Sequence, residues 1–247
     1  MAPGRDPGLE PVTTFHEGAP WVGTPGSRDV ARWAEDARLD ALLRELAAGF
    51  GPCHWWPAAT PFEVLVGAVL TQNTAWRNVE LALEELRAAR ALDPTVLLEL
   101  PPARLAELVR SSGTFRVKAE RLAALSSWYL EVGGLTALRE RPLEPLRAAL
   151  LEVRGIGPET ADSILCYAAG RRTAVVDAYA RRGLGRHGLV DADLPYEDLR
   201  RFLMERLVDD GVVYEETHAL FVRAGYDHCK PRARCEACPV TTPEGAA

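Results

Sequence analysis

Two helical patterns that meet at a Gly-x-Gly turn constrain the fold of this chain more than any other feature. The first pattern ends near Val153, and the second begins at Pro158, a residue that fits the first turn of a helix. Gly155 and Gly157 permit positive φ and leave the backbone uncovered, while Ile156 is expected to plug into the hairpin core. The second helix would direct free N–H groups outward, where they can hold a phosphate. Taken by itself, the motif could instead be an ordinary turn between two helices, without a role in phosphate binding.

The rest of the chain from about Val30 onward shows helical spacing almost throughout. Thr60, for example, is a typical helix cap, with Pro61 in the first turn and apolar residues at intervals of three and four behind it. The run from Thr173 to Val176 is short and apolar, but it has no second run with which to pair. We therefore predict an all-α fold.

Composition and charge narrow the class of protein. Hydrophobic residues make up 47% of the 247 residues, which is enough for a substantial core. No apolar run approaches the ~20 residues that a membrane span needs, and the first residues lack the apolar core of a signal peptide. We expect a cytoplasmic protein without a membrane partner. Residues 1–28 are rich in Pro, Gly and charge, and we expect a disordered tail there.

Two local groups of basic residues could contact a polyanion although the net charge is −6. Solvated surface charge is the alternative for either group. The first group comprises Arg171, Arg172, Arg181, Arg182 and Arg186, and the second comprises Lys230, Arg232 and Arg234.

The five cysteines are distributed unevenly. Cys53 and Cys166 are isolated, whereas Cys229, Cys235 and Cys238 fall within ten residues. In a cytoplasmic chain this crowding indicates metal or iron–sulfur ligation rather than disulfides.

Four segments occur in an order and spacing that resemble one known family. The chain is similar, over about residues 35–238, to the helix-hairpin-helix (HhH-GPD) superfamily of DNA repair glycosylases, in its endonuclease III-like group. The segments are LTQNT at 70–74, SGTFRVKAERL at 112–122, VRGIGPETAD at 153–162 and VVDAYARR at 175–182.

The resemblance implies a fold, a partner and a reaction. It implies two helical lobes: residues 61–172 as a six-helix domain with the hairpin, and residues 29–60 with 173–240 as a second helical domain that ends in the cysteine-rich loop. It implies a monomer, nucleoid-associated when acting, that flips a damaged base out of double-stranded DNA and cuts its N-glycosidic bond.

The resemblance also assigns roles to hairpin residues. Asp177 matches the catalytic aspartate, whose carboxylate would stabilise the positive charge that builds on the sugar and orient a water. A helix cap before Ala178 is the alternative role, and the two can coexist. The residues predicted to bind a phosphate are Gly155, Ile156, Gly157 and Thr160.

Glu159 departs from the pattern of family members that also nick the strand, because those carry a lysine at this position. A carboxylate cannot form the Schiff base that nicking requires. We therefore expect a monofunctional glycosylase that uses water and leaves an abasic site. A charge that favours the start of the helix is the alternative role of Glu159.

The residues of the expected base pocket resemble those of the 3-methyladenine glycosylase branch. Trp55, Trp56 and Trp76, with Glu159, would line a pocket for an alkylated purine, whose positive charge indole faces attract. The tryptophans could instead be ordinary core residues. A pocket for mismatched thymine, uracil or an oxidised pyrimidine stays open, as does a noncatalytic DNA-binding module.

Two further residues match family positions that enter the duplex when the base leaves. Gln72 would fill the vacated space, and Thr114 would sit at the wedge position. Loop or helix surface is the alternative for each.

Endonuclease III-like enzymes often carry four cysteines around a [4Fe–4S] cluster where this chain has Cys229, Cys235 and Cys238. The fourth is missing here. A cluster with a non-cysteine ligand such as His228, a zinc ion completed by His228, or a segment without metal are the three possibilities.

Overall fold

The structure is a computed structural model that describes residues 30–53 and 55–240. The disordered tail predicted for residues 1–28 lies outside the described residues. Besides α-helices, the described residues form two short 3-10 turns, Arg110–Ser112 and Cys235–Ala237, and one π-helical turn, Ile164–Ala168. The α-helices are α1 (Ala37–Phe50), α2 (Pro61–Leu70), α3 (Trp76–Ala88), α4 (Pro94–Glu99), α5 (Pro102–Leu108), α6 (Phe115–Val132), α7 (Gly134–Glu140), α8 (Leu143–Leu151), α9 (Pro158–Ser163), α10 (Ala178–Arg186), α11 (Tyr196–Met204) and α12 (Gly211–Asp227).

The all-α prediction is confirmed for the described part of the chain, which contains no β-strand. The only β-type pairing there is an isolated antiparallel bridge between Ala34 and Leu207. It ties the segment before α1 to the segment after α11, because Glu35 N–H donates to the carbonyl of Arg206 at 2.7 Å. The chain before the first helix is therefore fixed to its C-terminal half.

Helix α2 occupies the centre of the core because all of its residues except Glu63 are apolar. All of its residues from Phe62 to Leu70 are buried, and it packs against α3, α6, α9 and the π-helical turn. Thr60 caps it as predicted, by accepting a hydrogen bond from Glu63 N–H at 3.1 Å. The N-terminal helix α1 packs against α12 of the C-terminal half, and so does α10.

The predicted hairpin is formed by α8 and α9. Gly155 has φ 85°, and a Cβ there would lie 2.4 Å from Nε of Arg121, so both the conformation and the close approach require glycine. Gly157 instead has φ −96° and starts α9 from extended backbone, so the expected need for positive φ is wrong at this glycine. Ile156 is buried at 5% exposure, as predicted for the hairpin core.

A buried carboxylate fixes the hairpin to the segments that follow it. Asp162, fully buried on α9, accepts hydrogen bonds from Arg147 of α8 at 2.9 and 2.8 Å, from the Thr173 hydroxyl at 2.7 Å and from the Tyr196 hydroxyl at 2.9 Å. Arg200 adds an ion pair at 3.3 Å. The Asp162 carboxylate therefore holds together helices α8, α9 and α11 and the extended segment before Asp177. The division into two lobes stays a prediction.

Candidate active site

Asp177 lies at the start of α10, at the end of an extended segment. Val175 and Val176 before it are each 2% exposed, so the core fixes the backbone that leads to it. Oδ1 accepts a hydrogen bond from Ala180 N–H at 2.7 Å and caps the helix, which was the structural role suggested by the sequence. Oδ2, which the cap does not use, lies 3.7 Å from Nε2 of His218. The two oxygens of one carboxylate therefore have different surroundings.

His218 and Tyr167 join Asp177 to the neighbouring aromatic residues, and the sequence interpretation included neither of them. The Tyr167 hydroxyl is 2.7 Å from Nδ1 of His218 and 3.0 Å from the backbone oxygen of Glu215. Both side chains are buried. The available signal was an imidazole three residues before Phe221, on the face of α12 that also carries the buried Tyr214 and Phe221.

The three tryptophans predicted for the base pocket come together. Ring centroids of Trp55 and Trp76 are 4.9 Å apart, those of Trp56 and Trp76 are 5.5 Å apart, and Trp56 lies 5.5 Å from Tyr167. Trp56 is 4% exposed, and only a glycine at position 67 leaves room for its indole, because a Cβ there would lie 2.9 Å from Nε1. Within residues 30–53 and 55–240, that Nε1 has no hydrogen-bond partner. A continuous aromatic series thus leads from Trp55 to the residues beside Asp177.

Glu159, on the first turn of α9, belongs electrostatically to the same site. Burial raises the pKa of its carboxyl above the ordinary value of 4.5, and the charge of Asp177 raises it further, while His218 lowers it. By surface area, however, Glu159 is an exposed residue, so water weakens these effects on its pKa. The site therefore contains a second carboxyl group, and the pKa of that group is raised partly by the charge of Asp177.

Replacing Glu159 with Gln is expected to increase stability at neutral pH. The folded protein binds the Glu159 proton more tightly than the unfolded chain, so the stability from this group is present below pH 4.5 and is lost as pH rises through the raised folded pKa. The gain in Tm of Glu159→Gln over the wild type should therefore grow between about pH 4 and about pH 7. Glu131→Gln, at an exposed position on α6, is the control. Equal pH trends in the two variants would contradict the assignment.

Gln72 lies against the hairpin. Its Nε2 donates to the backbone oxygen of Gly155 at 3.1 Å and to Oγ1 of Thr160 at 3.0 Å, and its Oε1 accepts from Arg121. Thr114, the other residue expected to enter DNA, is exposed and has φ 36°, an uncommon conformation for a β-branched residue. Gln72, which is predicted to enter the duplex, therefore contacts Gly155 and Thr160, which are predicted to bind a phosphate. Thr114 lies on a separate loop.

Lys118 connects the loops that carry these two residues. It is 1% exposed, and its Nζ donates to the backbone oxygens of Leu70 at 2.7 Å and Ser112 at 2.5 Å. Leu70 ends α2 just before the glutamine turn, and Ser112 lies two residues before Thr114. Burial lowers the pKa of Lys118 to about 8, with a smaller effect from Arg121. One ammonium group thus fixes both loops.

The first group of basic residues differs from its prediction, because its guanidinium groups are already engaged within the protein. Arg172 pairs with Asp209. The members that donate to backbone carbonyl oxygens are Arg171, Arg181, Arg182 and Arg186. In the second group, Arg232 and Arg234 are exposed and remain suited to phosphate contacts.

The cysteine-rich loop does not fit a four-ligand iron–sulfur cluster. Residues 30–53 and 55–240 contain no group of three His, Cys, Asp or Glu side chains that could hold a metal ion. Sγ of Cys229 accepts a hydrogen bond from Arg186 at 3.3 Å, and Cys235 is exposed. The ring of His228, the alternative fourth ligand, stacks on Phe50 with centroids 5.9 Å apart.

Comparison with known proteins identifies the family. The sequence matches the model of the HhH-GPD superfamily base excision DNA repair proteins over residues 66–208, more than half of the chain. This chain belongs to the HhH-GPD superfamily. The predicted family is thereby confirmed, and with it DNA glycosylase activity and DNA as the partner. In the part of this chain that the structure describes, no helix is both long enough and apolar enough to cross a membrane.

Three relatives of this HhH-GPD protein are informative. A Methanocaldococcus jannaschii protein named as a DNA repair glycosylase is 39% identical over 77% of this chain and 88% of its own length. Endonuclease III of Thermotoga maritima is 30% identical over 81% of this chain and 89% of its own. The H. pylori 3-methyladenine DNA glycosylase MagIII, solved with bound 1,N6-ethenoadenine, has 31% identity and a TM-score of 0.64 over 76% of this chain and 94% of its own.

Proposed function

We propose that this HhH-GPD protein excises alkylated purines such as 3-methyladenine from duplex DNA by hydrolysis and leaves the strand uncut. The observation that carries the proposal is the series of aromatic side chains that ends at Asp177. Trp55, Trp56 and Trp76 lie with ring centroids 4.9 to 5.9 Å apart, and Tyr167 and His218 connect them to the carboxylate.

The chemistry of an alkylated purine matches this arrangement. Such a base carries positive charge, and indole faces attract a flat cation by stacking and by their electron density. The charged base is already a good leaving group, so the enzyme has no need to protonate it. The substrate named for the H. pylori relative belongs to the same chemical class, which supports the proposal.

Asp177 supplies the charge that the reaction needs. As the C1′–N bond breaks, its electron pair leaves with the base and positive charge builds on the sugar, which the carboxylate stabilises. Water then forms the new C1′–O bond and passes its proton to Asp177. Oδ2 is assigned to this task because Oδ1 caps α10.

The hairpin and two loops complete the proposed interaction with DNA. Gly155, Ile156, Gly157 and Thr160 lie where α9 begins, and its free N–H groups would hold a phosphate. To enter the duplex, Gln72 must exchange its bonds to the hairpin for contacts with the orphaned base.

A panel of lesion duplexes tests the substrate. Duplexes that contain 3-methyladenine, 1,N6-ethenoadenine, uracil, mismatched thymine or an oxidised pyrimidine are incubated with the enzyme, and released base is measured by chromatography. We expect release of the cationic 3-methyladenine, slower release of the uncharged 1,N6-ethenoadenine, and no release of the three pyrimidines. Release of uracil, thymine or an oxidised base without alkylpurine would assign the pocket to the pyrimidine class. Release from no duplex would indicate a noncatalytic DNA-binding protein.

Strand nicking is expected to be absent, because Glu159 offers no amine to attack C1′. Borohydride added during turnover on an alkylated duplex should trap no covalent protein–DNA adduct, and the abasic product should stay unbroken until it is treated with alkali. An endonuclease III with its own substrate serves as the positive control. A strong adduct would show that another amine reaches the sugar.

A further inference from the structure

The buried pair of Tyr167 and His218 has no role in the mechanism described so far. Both side chains are more than nine-tenths buried, and they come from different elements, the π-helical turn and α12. Their contact at 2.7 Å is a short hydrogen bond whose direction depends on which imidazole nitrogen carries a proton. The other ring nitrogen of His218 faces Oδ2 of Asp177 at 3.7 Å. The pair therefore ends at the carboxylate oxygen that the helix cap leaves for chemistry.

The hydrogen bonds indicate where the imidazole proton lies. The Tyr167 hydroxyl has one proton and two neighbours, Nδ1 of His218 and the backbone oxygen of Glu215 at 3.0 Å. A carbonyl oxygen can only accept, so its contact with the hydroxyl uses the hydroxyl proton. The hydroxyl oxygen then accepts a hydrogen bond from Nδ1–H, and a neutral imidazole with its proton there has a lone pair on Nε2. That lone pair faces Oδ2 of Asp177.

The distance between Nε2 and Oδ2 suits a shared water. At 3.7 Å the two atoms are too far apart for a direct hydrogen bond. They are closer than two hydrogen-bond lengths, so one water can lie within reach of both. That water would donate one proton to Nε2 and the other to Oδ2, and these two contacts leave a lone pair of its oxygen free to face the sugar.

We propose that His218 and Tyr167 are positioning residues that hold the attacking water on Asp177 and turn its lone pair toward the sugar. The inference rests on the proposed function. The water oxygen bonds to C1′, the C1′–N electron pair leaves with the base, and the water proton passes to Oδ2. His218 accepts a hydrogen bond from the water, and Tyr167 keeps the imidazole proton on Nδ1. Glu159 is another charged group whose field reaches His218.

The position of the proton can be measured in the free enzyme. Long-range ¹⁵N–¹H correlation spectra of histidine-labelled protein distinguish the two neutral forms of imidazole, and loss of one signal in His218→Asn assigns it among the five histidines. We expect the Nδ1–H form in the wild type and a mixture of both forms in Tyr167→Phe, which keeps the ring and loses the hydroxyl. An Nε2–H form in the wild type would overturn the proposal, whatever the substrate.

Single-turnover base release tests the water. An asparagine amide reproduces the Nδ1 side of imidazole and a glutamine amide the Nε2 side. We expect His218→Asn to slow release by about 10-fold to 100-fold without changing DNA affinity, because a small displacement of the nucleophile has effects of this size. His218→Gln should recover most of the rate. Tyr167→Phe should slow release less than His218→Asn does. Tyr214→Phe is the control, because Tyr214 is a buried tyrosine on α12, the helix that carries His218.

Equal rates in His218→Asn and the wild type would also overturn the proposal. So would equal losses in the Asn and Gln variants with weakened DNA binding, since that pattern would indicate a packing role. If His218→Asn does not fold, the spectra of the wild type and the kinetics of Tyr167→Phe still decide. Failure of Asp177→Asn to affect release would instead reject the proposed function itself, so the two failures are distinguishable.

Discussion

Asp177→Asn is expected to slow release of an alkylated purine by about 100-fold to 1000-fold while leaving the fold and DNA affinity unchanged. The loss is that of one preorganised electrostatic group aimed at charge that develops in the transition state. The fold should survive because asparagine caps a helix as well as aspartate does. Single-turnover release, DNA affinity and Tm should be measured together on the same preparation.

The chain offers a matched control for this variant. Asp210 caps α12 by accepting from Val212 N–H at 3.0 Å, in the same way that Asp177 caps α10. Asp210→Asn should therefore release base at the wild-type rate. Comparable losses in both variants would mean that capping, rather than charge beside the sugar, explains the effect. Undiminished release by Asp177→Asn would reject the enzymatic assignment of the residue.

Asp162→Ala is expected to have the largest effect on stability, a loss of about 3–5 kcal/mol in the free energy of unfolding. The substitution leaves the buried Arg147 guanidinium without its bidentate partner and removes the acceptor used by Thr173 and Tyr196. A loss of that size is a large fraction of the stability of an ordinary domain. Urea denaturation monitored by far-UV circular dichroism gives the measurement.

An exposed ion pair provides the comparison for Asp162. Arg172 and Asp209 pair across the surface with more than half of each side chain exposed, and such pairs contribute about 1 kcal/mol or less. Asp209→Ala should therefore unfold close to the wild-type midpoint. Should Asp162→Ala unfold at the same urea concentration as Asp209→Ala, the buried network would not be the anchor described here.

The sequence predicted the elements of this fold because their local signals agree with the final structure. The capping residues Thr60 and Asp177, the prolines at helix starts, and the glycine at position 155 each act within one or two turns of the chain. The three tryptophans were found through the resemblance, since periodicity alone does not separate a pocket from a core.

The parts that the sequence interpretation missed depend on contacts between distant segments. Tyr167 and His218 are 51 residues apart and looked like ordinary members of buried helices. The arginines near the hairpin looked like a basic surface, but the fold turns Arg171 and Arg181 onto carbonyl oxygens of other segments. Charge can be counted from a sequence, whereas the partner of each charge is decided by packing.

A crystal structure of the Asp177→Asn variant with an alkylated duplex tests the central claim most directly, because the slow variant should retain the uncut nucleotide. The account predicts a flipped purine stacked on the tryptophans, with the side chain of residue 177 within about 3.5 Å of the attacking water or the sugar C1′. A deoxyribose placed away from position 177, with another acidic side chain beneath it, would contradict the account.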